Sequence, residues 1–592
     1  MCGIAGIVDF SRPAEAHVDR VRAMRDRLRH RGPDGEGEHV GTTTVLGHTR
    51  LAVVDVAGGA QPMTSGGNVI VYNGELANAA ELRALLADRV FRTRSDTEVV
   101  LAAYERWGEA CVERLSGMFA FFVWDEARGR GFFARDRLGV KPLVFAREGR
   151  AIVFASEAQA IAHTTGRAIR ANVDAIVDVM VAPCFSGVDR TMFEGIAPLL
   201  PGHAAVVDRD GLRVWRYWRW PIDATRAVID DPAVAVPALA REVRVATKRA
   251  LLSDVPIGVF ASGGLDSTIL SAVLAGDRDG VRGYTVTFDD QASFDYARST
   301  ITGSDDTPFA RAAAHELGLE ERLVHVSRAE IARDLERVAI TNDALPAWEQ
   351  EIAQHRLARA AHSDGTKVVL VGDAADETHY GYHFLLDPKA LEGPRVILGR
   401  LGAVPVRRDL VLDAQAAAAR KLEAHVEDAG GSFGGSDAER LAATTLLVVE
   451  RWLPRLLHNG DVHTMRSSLE ARVPFADASL VDLAARIAPR LALRGGVEKW
   501  ALRESARGLV PEAIRTRKKS ALPKDLAVEA VFRTEIARVL AEPPALVSAI
   551  VDLDAMRVLA ASPARLTEAE RAAMFRVVTF AHWARHHGAV AP

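Results

Sequence analysis

Short apolar runs alternate with glycine, asparagine and aspartate through the first 220 residues. Four runs have the length and the β-branched or aromatic content of strands: Thr43–Leu46, Val69–Val71, Ala120–Val123 and Ile152–Phe154. Three segments repeat apolar residues every three or four positions, as amphipathic helices do: Asp19–His30, Asn78–Asp88 and Asp96–Trp107. This alternation predicts an α+β layered domain over residues 1–220.

The pattern changes after a polar, proline-containing stretch at residues 221–237, which we interpret as a linker. Four apolar runs then predict strands: Ile257–Ala261, Gly283–Phe288, Arg322–Val326 and Lys367–Val371. Helical patterns separate them: Thr268–Ala275, Pro308–Leu319 and Glu330–Ala339. Strands that alternate with helices predict a parallel α/β sheet, and from Ala403 onward the chain is predicted to be mostly helical. Residues 238–592 are therefore expected to form a second domain.

Composition favours an enzyme with small-molecule substrates. The 592 residues exceed what one hydrophobic core usually holds, and no apolar stretch approaches the roughly 18 residues of a membrane span. The 74 basic and 78 acidic residues are evenly spread and give a net charge of −4, so no field is expected to attract nucleic acid or an anionic membrane. Asp9 follows Met1 closely without a basic region, which predicts no signal peptide and a cytoplasmic protein.

Cysteine chemistry centres on Cys2, because Cys111 and Cys184 have no metal-binding or disulfide spacing and are interpreted as buried small residues. If the initiator methionine is removed, Cys2 carries both a thiol and a free α-amine. A thiol with a pKa of ~8.5 needs a base at neutral pH, and an α-amine with a pKa of ~7.7–8.0 can relay the proton. Cys2 is thus either a nucleophile for acyl transfer or an ordinary residue at a frayed terminus.

A second motif, V-F-A-S-G-G-L-D-S at residues 259–267, lies between a predicted strand and a predicted helix. Its small residues allow backbone N–H groups to approach phosphate oxygens at a helix N-terminus. Ser262 and Ser267 add hydroxyl groups, and Asp266 can hold a magnesium ion that bridges phosphates. The alternative is a glycine turn that closes a strand–helix unit. The motif is not a P-loop.

Together, these two motifs give the chain a family resemblance. The S-G-G-L-D-S loop resembles the pyrophosphate loop of ATP pyrophosphatases, which cleave ATP between its α and β phosphates. Combined with M-C-G-I-A-G at residues 1–6, it resembles the glutamine-dependent asparagine synthetases over nearly the whole sequence. The resemblance implies an N-terminal-nucleophile glutaminase of αββα type, joined to an adenine-nucleotide hydrolase-like synthetase domain with a helical C-terminal region.

For the glutaminase half, the resemblance assigns four further segments. R-G-P-D-G at residues 31–35 looks like the turn near the nucleophile, and R-L-A-V-V-D at residues 50–55 looks like the family's glutamine-binding strand. Arg50 would bind the α-carboxylate of glutamine, with Leu51 and Val54 beside it. In N-G-E at residues 73–75, Asn73 and Gly74 would stabilise the oxyanion.

The same resemblance extends glutamine recognition beyond the oxyanion segment. Glu75 would also contact glutamine. In S-D-T-E at residues 95–98, Asp96 would bind the α-amine of the substrate.

For the synthetase half, the resemblance implies that Mg²⁺-ATP is bound as co-substrate. The predicted nucleotide contacts are Phe260, Ser262, Gly263, Gly264, Asp266, Ser267, Val286, Val371, Gly372 and Lys499. Asp266 and Asp376 are the predicted metal ligands. Lys499, one of only nine lysines, lies in E-K-W-A-L-R at residues 498–503 and would contact the phosphates during adenylation. L-E-A-R-V-P-F at residues 469–475 and Asp461 also match family segments.

One departure leaves the acceptor open. The family usually reads S-G-E-G-[AS]-D-E-L-F-G-G-Y where this chain reads V-G-D-A-A-D-E-T-H-Y-G-Y at residues 371–382. Asp373 therefore replaces a catalytic glutamate and is about 1.5 Å shorter. His379 and Tyr380 replace small or apolar residues, and Val462 follows Asp461 where an arginine is expected. The loop 289–306 is longer and more polar than we expect.

The sequence therefore predicts a two-domain amidotransferase that hydrolyses glutamine, adenylates a carboxylate with ATP and amidates it with channelled ammonia. Aspartate is the first-choice acceptor, and another carboxylic acid of specialised metabolism is the alternative. An ammonia-independent adenylating cyclase, a stand-alone glutaminase and a non-catalytic protein each fit fewer of the motifs. A homodimer is expected only by family analogy.

Overall fold

The structure is a computed structural model of the 592-residue chain. It describes residues 1–222, 228–289, 291, 304–399, 405–410, 414–520 and 526–590. The predicted polar loop 289–306 lies largely outside the described residues. Within those described, no helix is both long and apolar enough to cross a membrane.

Two antiparallel sheets form the amino-terminal half. The twelve strands described there are β1 (Cys2–Val8), β2 (Gly35–Val40), β3 (Thr44–Arg50), β4 (Met63–Ser65), β5 (Asn68–Leu76), β6 (Gly117–Asp125), β7 (Arg130–Arg135), β8 (Val144–Glu148), β9 (Ala151–Ala155), β10 (Ile196–Pro198), β11 (His203–Asp208) and β12 (Gly211–Arg216). Their orders are β10-β8-β9-β1-β3-β2 and β12-β11-β7-β6-β5-β4.

The two sheets pack face to face through apolar side chains. Phe122 on β6 and Phe154 on β9 have ring centroids 4.6 Å apart, and Ile4 and Leu46 are buried in the same core. Alternating strand residues point outward to helices, because successive side chains leave opposite faces. Five helices belong to this half: α1 (Val18–Arg27), α2 (Ala79–Leu85), α3 (Asp96–Trp107), α4 (Ala158–Ala162) and α5 (Val173–Val181). The helix–sheet–sheet–helix arrangement confirms the predicted αββα fold.

A five-stranded parallel sheet forms the centre of the carboxy-terminal half. Its strands are β13 (Ile257–Phe260), β14 (Arg282–Phe288), β15 (Glu320–Val326), β16 (Val368–Leu370) and β17 (Glu470–Arg472), in the order β15-β14-β13-β16-β17. The chain leaves β13 toward β14 on one side and returns to β16 on the other. Ligands bind at such switch points, at the carboxyl ends of the strands. The segments that follow β13 and β16 meet there.

Helices cover this sheet and make up most of the remaining chain. They are α6 (Pro232–Arg249), α7 (Leu265–Ala275), α8 (Thr307–Leu317), α9 (Arg328–Thr341), α10 (Gln350–Ser363), α11 (Ala375–Thr378), α12 (Pro394–Gly399), α13 (Ala414–Asp428), α14 (Asp437–Leu447), α15 (Leu453–Met465), α16 (Ala478–Ala484), α17 (Pro489–Ala492), α18 (Trp500–Ser505), α19 (Glu512–Arg515), α20 (Leu526–Ala541), α21 (Ala545–Ile550), α22 (Leu553–Ala561) and α23 (Glu568–His587). The parallel sheet and the helical carboxy-terminal region confirm the predicted fold class.

Two details differ from the sequence prediction. Helix α6 begins at Pro232, inside the stretch 221–237 that we interpreted as a linker, because Asp231 caps it and proline is well tolerated in a first helical turn. The region after Ala403 also contributes strand β17, which is only three residues long. Such a short run carries no periodicity, and pairing with β16 supplies its structure.

Candidate active sites

Cys2 lies between the two antiparallel sheets at the start of β1. Its backbone N–H donates to Oδ1 of Asn73 on β5 over 3.0 Å, so this hydrogen bond crosses from one sheet to the other. The residue is 7% exposed. Burial raises the pKa of the Cys2 thiol, while the adjacent amino terminus and Arg50 act in the opposite direction. A buried thiol of this kind requires a nearby proton acceptor to become a thiolate.

Asn73 leaves a donor available beside this cysteine. The Asn73 side chain is fully buried, and its Nδ2 has no hydrogen-bond partner among the described residues. A Cβ on Gly74 would come within 2.3 Å of the Met118 carbonyl oxygen, so the close strand pairing requires glycine. An unpaired buried amide donor is costly unless a ligand satisfies it, and this donor is therefore suited to an oxyanion.

The other predicted glutamine contacts surround this position. Arg50 pairs with Cys2 in the β1–β3 register, and its guanidinium donates to the carbonyl oxygens of Val56 (2.8 Å) and Asp55 (2.6 Å). These bonds shape the loop that includes Val54. Leu51 donates its N–H to the Met1 carbonyl oxygen over 2.8 Å. The structure thus brings the predicted segments 50–55 and 73–75 together around Cys2.

Asp96 and Glu75 provide buried carboxylates near the same strand. Asp96 accepts hydrogen bonds from the Tyr72 hydroxyl and from the Leu76 N–H, both over 3.0 Å, and burial raises the pKa of its carboxyl. Burial raises the pKa of Glu75 to about 8, although Arg472 on β17 donates to it over 2.9 Å and acts in the opposite direction. Glu75 therefore contacts the other half of the molecule.

The sequence did not predict the buried ionic contacts that join the two halves. Arg31 donates to the Cys2 carbonyl oxygen over 3.2 Å and to Asp461 on α15 over 2.6 Å. Lys141 also approaches Asp461, at 3.3 Å, and all three side chains are essentially inaccessible to solvent. Although burial acts against it, these two cations lower the pKa of Asp461. Gly460, the residue before Asp461, lies next to Asp373, since a Cβ there would be 3.4 Å from Oδ2 of Asp373.

The second predicted site lies where β13 passes into α7. The hydroxyl oxygens of Ser262 and Ser267 are 3.0 Å apart, and the Gly264 N–H points to Ser262 Oγ at 3.3 Å. Gly263 has φ +70°, and a Cβ there would come within 2.4 Å of the Ala310 backbone nitrogen. The loop needs glycine at this position because of both its backbone conformation and the lack of space. The loop therefore packs directly against the backbone at the start of α8.

The remaining predicted nucleotide contacts lie at the ends of neighbouring strands. Phe260 ends β13 and is half-buried, whereas Val286 is buried within β14. Val371 follows β16 and donates its N–H to the Arg472 carbonyl oxygen over 2.9 Å. Gly372 packs against Asp266, since a Cβ there would be 3.1 Å from the Asp266 Cβ. These residues line the switch point of the parallel sheet.

Lys499 lies between the carboxylates of Asp266 and Asp376, the two predicted metal ligands. Its Nζ lies 2.6 Å from Asp266 Oδ2 and 2.5 Å from Asp376 Oδ1, and its side chain is only 3% exposed. Burial opposes a charged lysine, but the two carboxylates raise the pKa of Lys499 above its usual range. A Cβ on Gly381 would come within 2.0 Å of Asp376 Oδ1 and 2.6 Å of Lys499 Cε. Only glycine fits between these groups.

Lys519, which the sequence analysis did not single out, also reaches this cluster. Its ammonium group forms an ion pair with Asp376 and lies 4.5 Å from the centroid of the Tyr382 ring. The rarity of lysine in this chain was a usable signal, because Lys518 and Lys519 are two of its nine. The helical pattern in this region gave no indication that the segment turns back to the β13 loop.

The departures from the family motif lie beside Asp376. Burial, together with the nearby Asp376 and Asp266, raises the pKa of Asp373 to about 6, although Lys519 acts in the opposite direction. Burial likewise raises the pKa of Glu377 to about 7, and its carboxylate accepts a hydrogen bond from the Tyr382 hydroxyl. Tyr380 is buried with φ +59°, a rare conformation for a bulky residue.

The donor set around Asp266 suits a magnesium ion held jointly with phosphates. Asp266 Oδ1 is buried and has no hydrogen-bond partner among the described residues, and Asp376 contributes a second carboxylate. Magnesium prefers oxygen ligands and usually uses one or two carboxylates together with substrate phosphates. No group of three or more histidine, cysteine, aspartate or glutamate residues in the described part of the chain could hold a metal by itself.

Comparisons with known proteins cover both halves. A family model described as a glutamine amidotransferase domain matches residues 1–218, and one described as asparagine synthase matches residues 238–585. Glutamine-hydrolyzing asparagine synthetase 3 of Bacillus subtilis (strain 168) is 34% identical over 548 residues, which cover 88% of this chain and 87% of the relative. Asparagine synthetase B of Escherichia coli (strain K12) is 29% identical over 88% of this chain and 81% of the relative. Amidase chyE of Penicillium rubens is 26% identical over 88% of both chains.

Proposed function

Because this chain belongs to the family of glutamine-hydrolysing asparagine synthetases, we propose that it transfers glutamine-derived ammonia to the side-chain carboxylate of aspartate, with ATP as co-substrate. The observation that carries the proposal is the buried contact of Arg31 with both the Cys2 carbonyl oxygen and Asp461. This contact ties the thiol site to the helix that packs against Asp373. We further propose residues 1–220 as the glutaminase domain and 238–592 as the synthetase domain, joined by the linker 221–237, whose last six residues already belong to helix α6.

The first half-reaction takes place at Cys2. Once Met1 is removed, the α-amine accepts the thiol proton, and the thiolate attacks the glutamine side-chain amide. Asn73 Nδ2 and the Gly74 N–H stabilise the resulting oxyanion. The α-ammonium returns its proton to the amide nitrogen, the C–N bond breaks, and a thioester forms with release of ammonia. Water then hydrolyses the thioester to glutamate.

Glutamine recognition uses the surrounding polar groups. Arg50 binds the α-carboxylate of the substrate, Asp96 binds its α-amine, and Glu75, Leu51 and Val54 complete the pocket. The pairing of a guanidinium with a carboxylate is charge-assisted and geometrically specific. Burial raises the pKa of Asp96. A substrate ammonium group beside this carboxylate would stabilise its ionised form.

The second half-reaction activates the acceptor. A carboxylate oxygen attacks the α-phosphorus of ATP, the α–β bridging bond breaks, and pyrophosphate leaves. Ser262, Ser267 and the glycines between them bind the phosphates through hydroxyl and N–H groups, and Lys499 balances the charge of the leaving pyrophosphate. Asp266 and Asp376 would hold a magnesium ion, which would offset the negative charge of the phosphates.

Amide formation completes the reaction. Ammonia attacks the acyl carbonyl carbon, a proton moves from nitrogen to the Asp373 carboxylate, and AMP leaves with the electrons of the C–O bond. The elevated pKa of Asp373, about 6, suits a base at neutral pH. Enclosed delivery matters because ammonia in neutral water is mostly ammonium, which is not nucleophilic.

A direct product analysis tests this proposal. Pure protein is incubated with glutamine, Mg²⁺-ATP and aspartate, and asparagine, AMP, pyrophosphate and glutamate are quantified by mass spectrometry. We expect the four products in equal amounts. Cys2→Ala should lose the glutamine-dependent reaction and retain the reaction with added ammonium. Glutamate formation without asparagine would refute aspartate as the acceptor, and inactivity with glutamine would refute the amidotransferase assignment.

A second candidate is a different carboxylic acid. The Tyr382 ring stacks on Trp452 at 4.8 Å and on Phe384 at 5.5 Å, and all three are half-buried beside the Asp376 cluster. Such a surface favours an acceptor with an apolar or planar body. ATP–pyrophosphate exchange over a panel of aspartate, aromatic and aliphatic acids separates the two candidates. An exchange rate highest with aspartate would exclude the second one.

Two further expectations belong to this proposal. The protein is expected to act in the cytoplasm and to form a homodimer. Size-exclusion chromatography with light scattering would give twice the 64.0 kDa chain mass for the dimer.

A further inference from the structure

Two arginines, Arg455 on α15 and Arg576 on α23, are buried without a full set of hydrogen-bond partners. Their residues are 2% and 1% exposed. Arg455 donates through Nη2 to the Leu345 carbonyl oxygen, but its Nε and Nη1 are buried and have no hydrogen-bond partner among the described residues. The same holds for Nε and Nη1 of Arg576. A buried guanidinium is costly unless it is paired, so both side chains are suited to binding an anion.

Both guanidinium groups lie near Cys184, which belongs to the amino-terminal half. Burial raises the pKa of this thiol to about 12, although Arg576 and Arg455 act in the opposite direction. A thiol with such a pKa is neutral near pH 7, so it is not the counter-ion of either arginine. Burial also lowers the pKa of Arg455, and it lowers the pKa of Arg576 to about 10.

Within the described part of the chain, no carboxylate pairs with these arginines. Glu351 acts against the fall in the pKa of Arg455, but its carboxylate contacts His463 Nε2 at 2.8 Å. Glu349 acts in the same way on Arg576, and its own buried Oε1 also lacks a hydrogen-bond partner there. The unpaired donor atoms of the two arginines are therefore available to a ligand.

The surrounding backbone leaves space at the Arg455 guanidinium. Gly187, in the loop that follows α5, has φ +76°, and a Cβ there would be 2.6 Å from Nη1 of Arg455. A side chain at this position would crowd the unpaired donor. Arg455 also comes directly after a π-helical turn, Val448–Trp452, at the start of α15. Such turns are rare and occur frequently at functional sites.

Aromatic rings connect this region to the proposed adenylation site. Phe185, the residue after Cys184, packs against Trp452 with ring centroids 5.5 Å apart, and Trp452 stacks on Tyr382 at 4.8 Å. The Tyr382 hydroxyl donates to Glu377, in the segment that carries Asp373 and Asp376. Burial raises the pKa of Tyr382, and Cys184 acts in the same direction, which places the thiol near this ring. The unpaired guanidinium groups and the adenylation site are therefore neighbours.

We propose that Arg455 and Arg576 bind a second carboxylate of the acceptor, which makes the acceptor a dicarboxylic acid. One carboxylate is adenylated, and the other is held by these two arginines. The inference rests on the proposed adenylating function. Guanidinium groups bind carboxylates through charge-assisted hydrogen bonds, often two at a time. A monocarboxylic acid would leave both guanidinium groups buried and unpaired, so the site is expected to reject it strongly.

Both candidate acceptors can be examined on this basis. Aspartate meets the requirement through its α-carboxylate. A different dicarboxylic acid, with an apolar body beside Tyr382 and Trp452, meets it as well. A simple aromatic or aliphatic monocarboxylic acid does not.

The first test compares diacids with their monoamides in ATP–pyrophosphate exchange. The pairs are aspartate with its α-carboxamide, and succinate and glutarate with their monoamides, because an amide keeps the size of the acid and removes one charge. For at least one pair, we expect kcat/KM for the diacid to exceed that for the monoamide by about a hundredfold or more. Arg455→Met and Arg576→Met should each reduce this ratio by about tenfold or more, mainly through a higher KM for the diacid.

Arg585→Met is the matched control, since Arg585 is an exposed arginine on the same helix as Arg576. It should leave the ratio within about twofold of that of the unchanged chain. A ratio near one in the unchanged chain, or a high ratio that the Arg455 and Arg576 variants retain, would overturn the proposal. Exchange absent from the unchanged chain with every acid would instead refute the adenylating function itself.

The second test separates ligand binding from a structural role. Methionine is apolar and fits a buried position, so removal of an unpaired buried charge is not expected to destabilise the fold. Melting temperatures are measured with Mg²⁺ and the α,β-methylene analogue of ATP, with and without the diacid that gives the fastest exchange. We expect Arg576→Met to melt no lower than the unchanged chain without diacid, and to lose most of the increase that the diacid causes. A lower melting temperature combined with an unaltered increase would indicate a structural role and overturn the proposal.

Discussion

The unpaired amide of Asn73 gives the sharpest prediction about the first site. Asn73→Asp keeps an oxygen that can accept the Cys2 N–H bond of 3.0 Å but removes the Nδ2 donor. Because Nδ2 has no other partner among the described residues, no protein hydrogen bond is lost with it. The oxyanion then loses a donor and faces a carboxylate, so the donor loss sets the least effect to be expected. Loss of one such donor lowers kcat by about 10²–10³-fold, or about 2.7–4 kcal/mol.

The assay follows glutamate release and amide formation separately. We expect Asn73→Asp to lower kcat for glutamine hydrolysis by at least that factor, with little change in amide formation from added ammonium. Asn68→Asp is the matched control, since it makes the same change at the first residue of the same strand. A loss of less than tenfold in glutamine hydrolysis would refute the oxyanion role. An equal loss with ammonium would indicate general damage to the fold.

Three further predictions concern the second site and the contact between the halves. Asp461→Asn leaves two buried cations without their common anion and should lower the free energy of unfolding by about 3–5 kcal/mol in urea titrations; a change below about 1 kcal/mol would contradict the buried pairing. Gly381→Ala forces a Cβ to within 2.6 Å of Lys499 Cε and should abolish ATP–pyrophosphate exchange while glutamine hydrolysis persists, so unchanged exchange would refute this packing. The Asp373 carboxyl, with its pKa raised to about 6, must be deprotonated to act as a base, so roughly one tenth is active at pH 5. The amount of amide formed per glutamine hydrolysed should therefore fall between pH 7 and pH 5, and a flat ratio would exclude this role.

Local motifs were predictable because each one is a short strand–turn unit with its own steric requirements. The loop from Ser262 to Ser267 needs glycine for its left-handed residue at Gly263, and this need is visible in the sequence. The same holds for Asn73-Gly74, where a close strand pair excludes a side chain. The atoms that exclude a side chain belong to Ala310 and Met118, which are distant in the sequence, but the glycines themselves mark the two positions.

Element ends and long-range contacts were less predictable. The helix expected to continue to His30 ends at Arg27, because a 3₁₀ turn over residues 29–31 redirects the chain and brings Arg31 into the interface. Arg31 and Asp461 are 430 positions apart, and only the packing of the two halves makes them partners. Lys519 was missed for the same reason, since its partner Asp376 lies on a different element.

Backbone strain provides an argument against a non-catalytic role for the second site. Three of the non-glycine residues with positive φ in the described part of the chain, Ala374, Tyr380 and Lys499, surround Asp376. The left-handed conformation costs roughly 1–2 kcal/mol for such residues. The Lys499 N–H donates to the Tyr380 carbonyl oxygen over 3.3 Å, so two strained residues support one another and hold the ammonium between two carboxylates. A fold selected for stability alone would relax this arrangement, whereas a site that must direct a buried lysine at a ligand requires it.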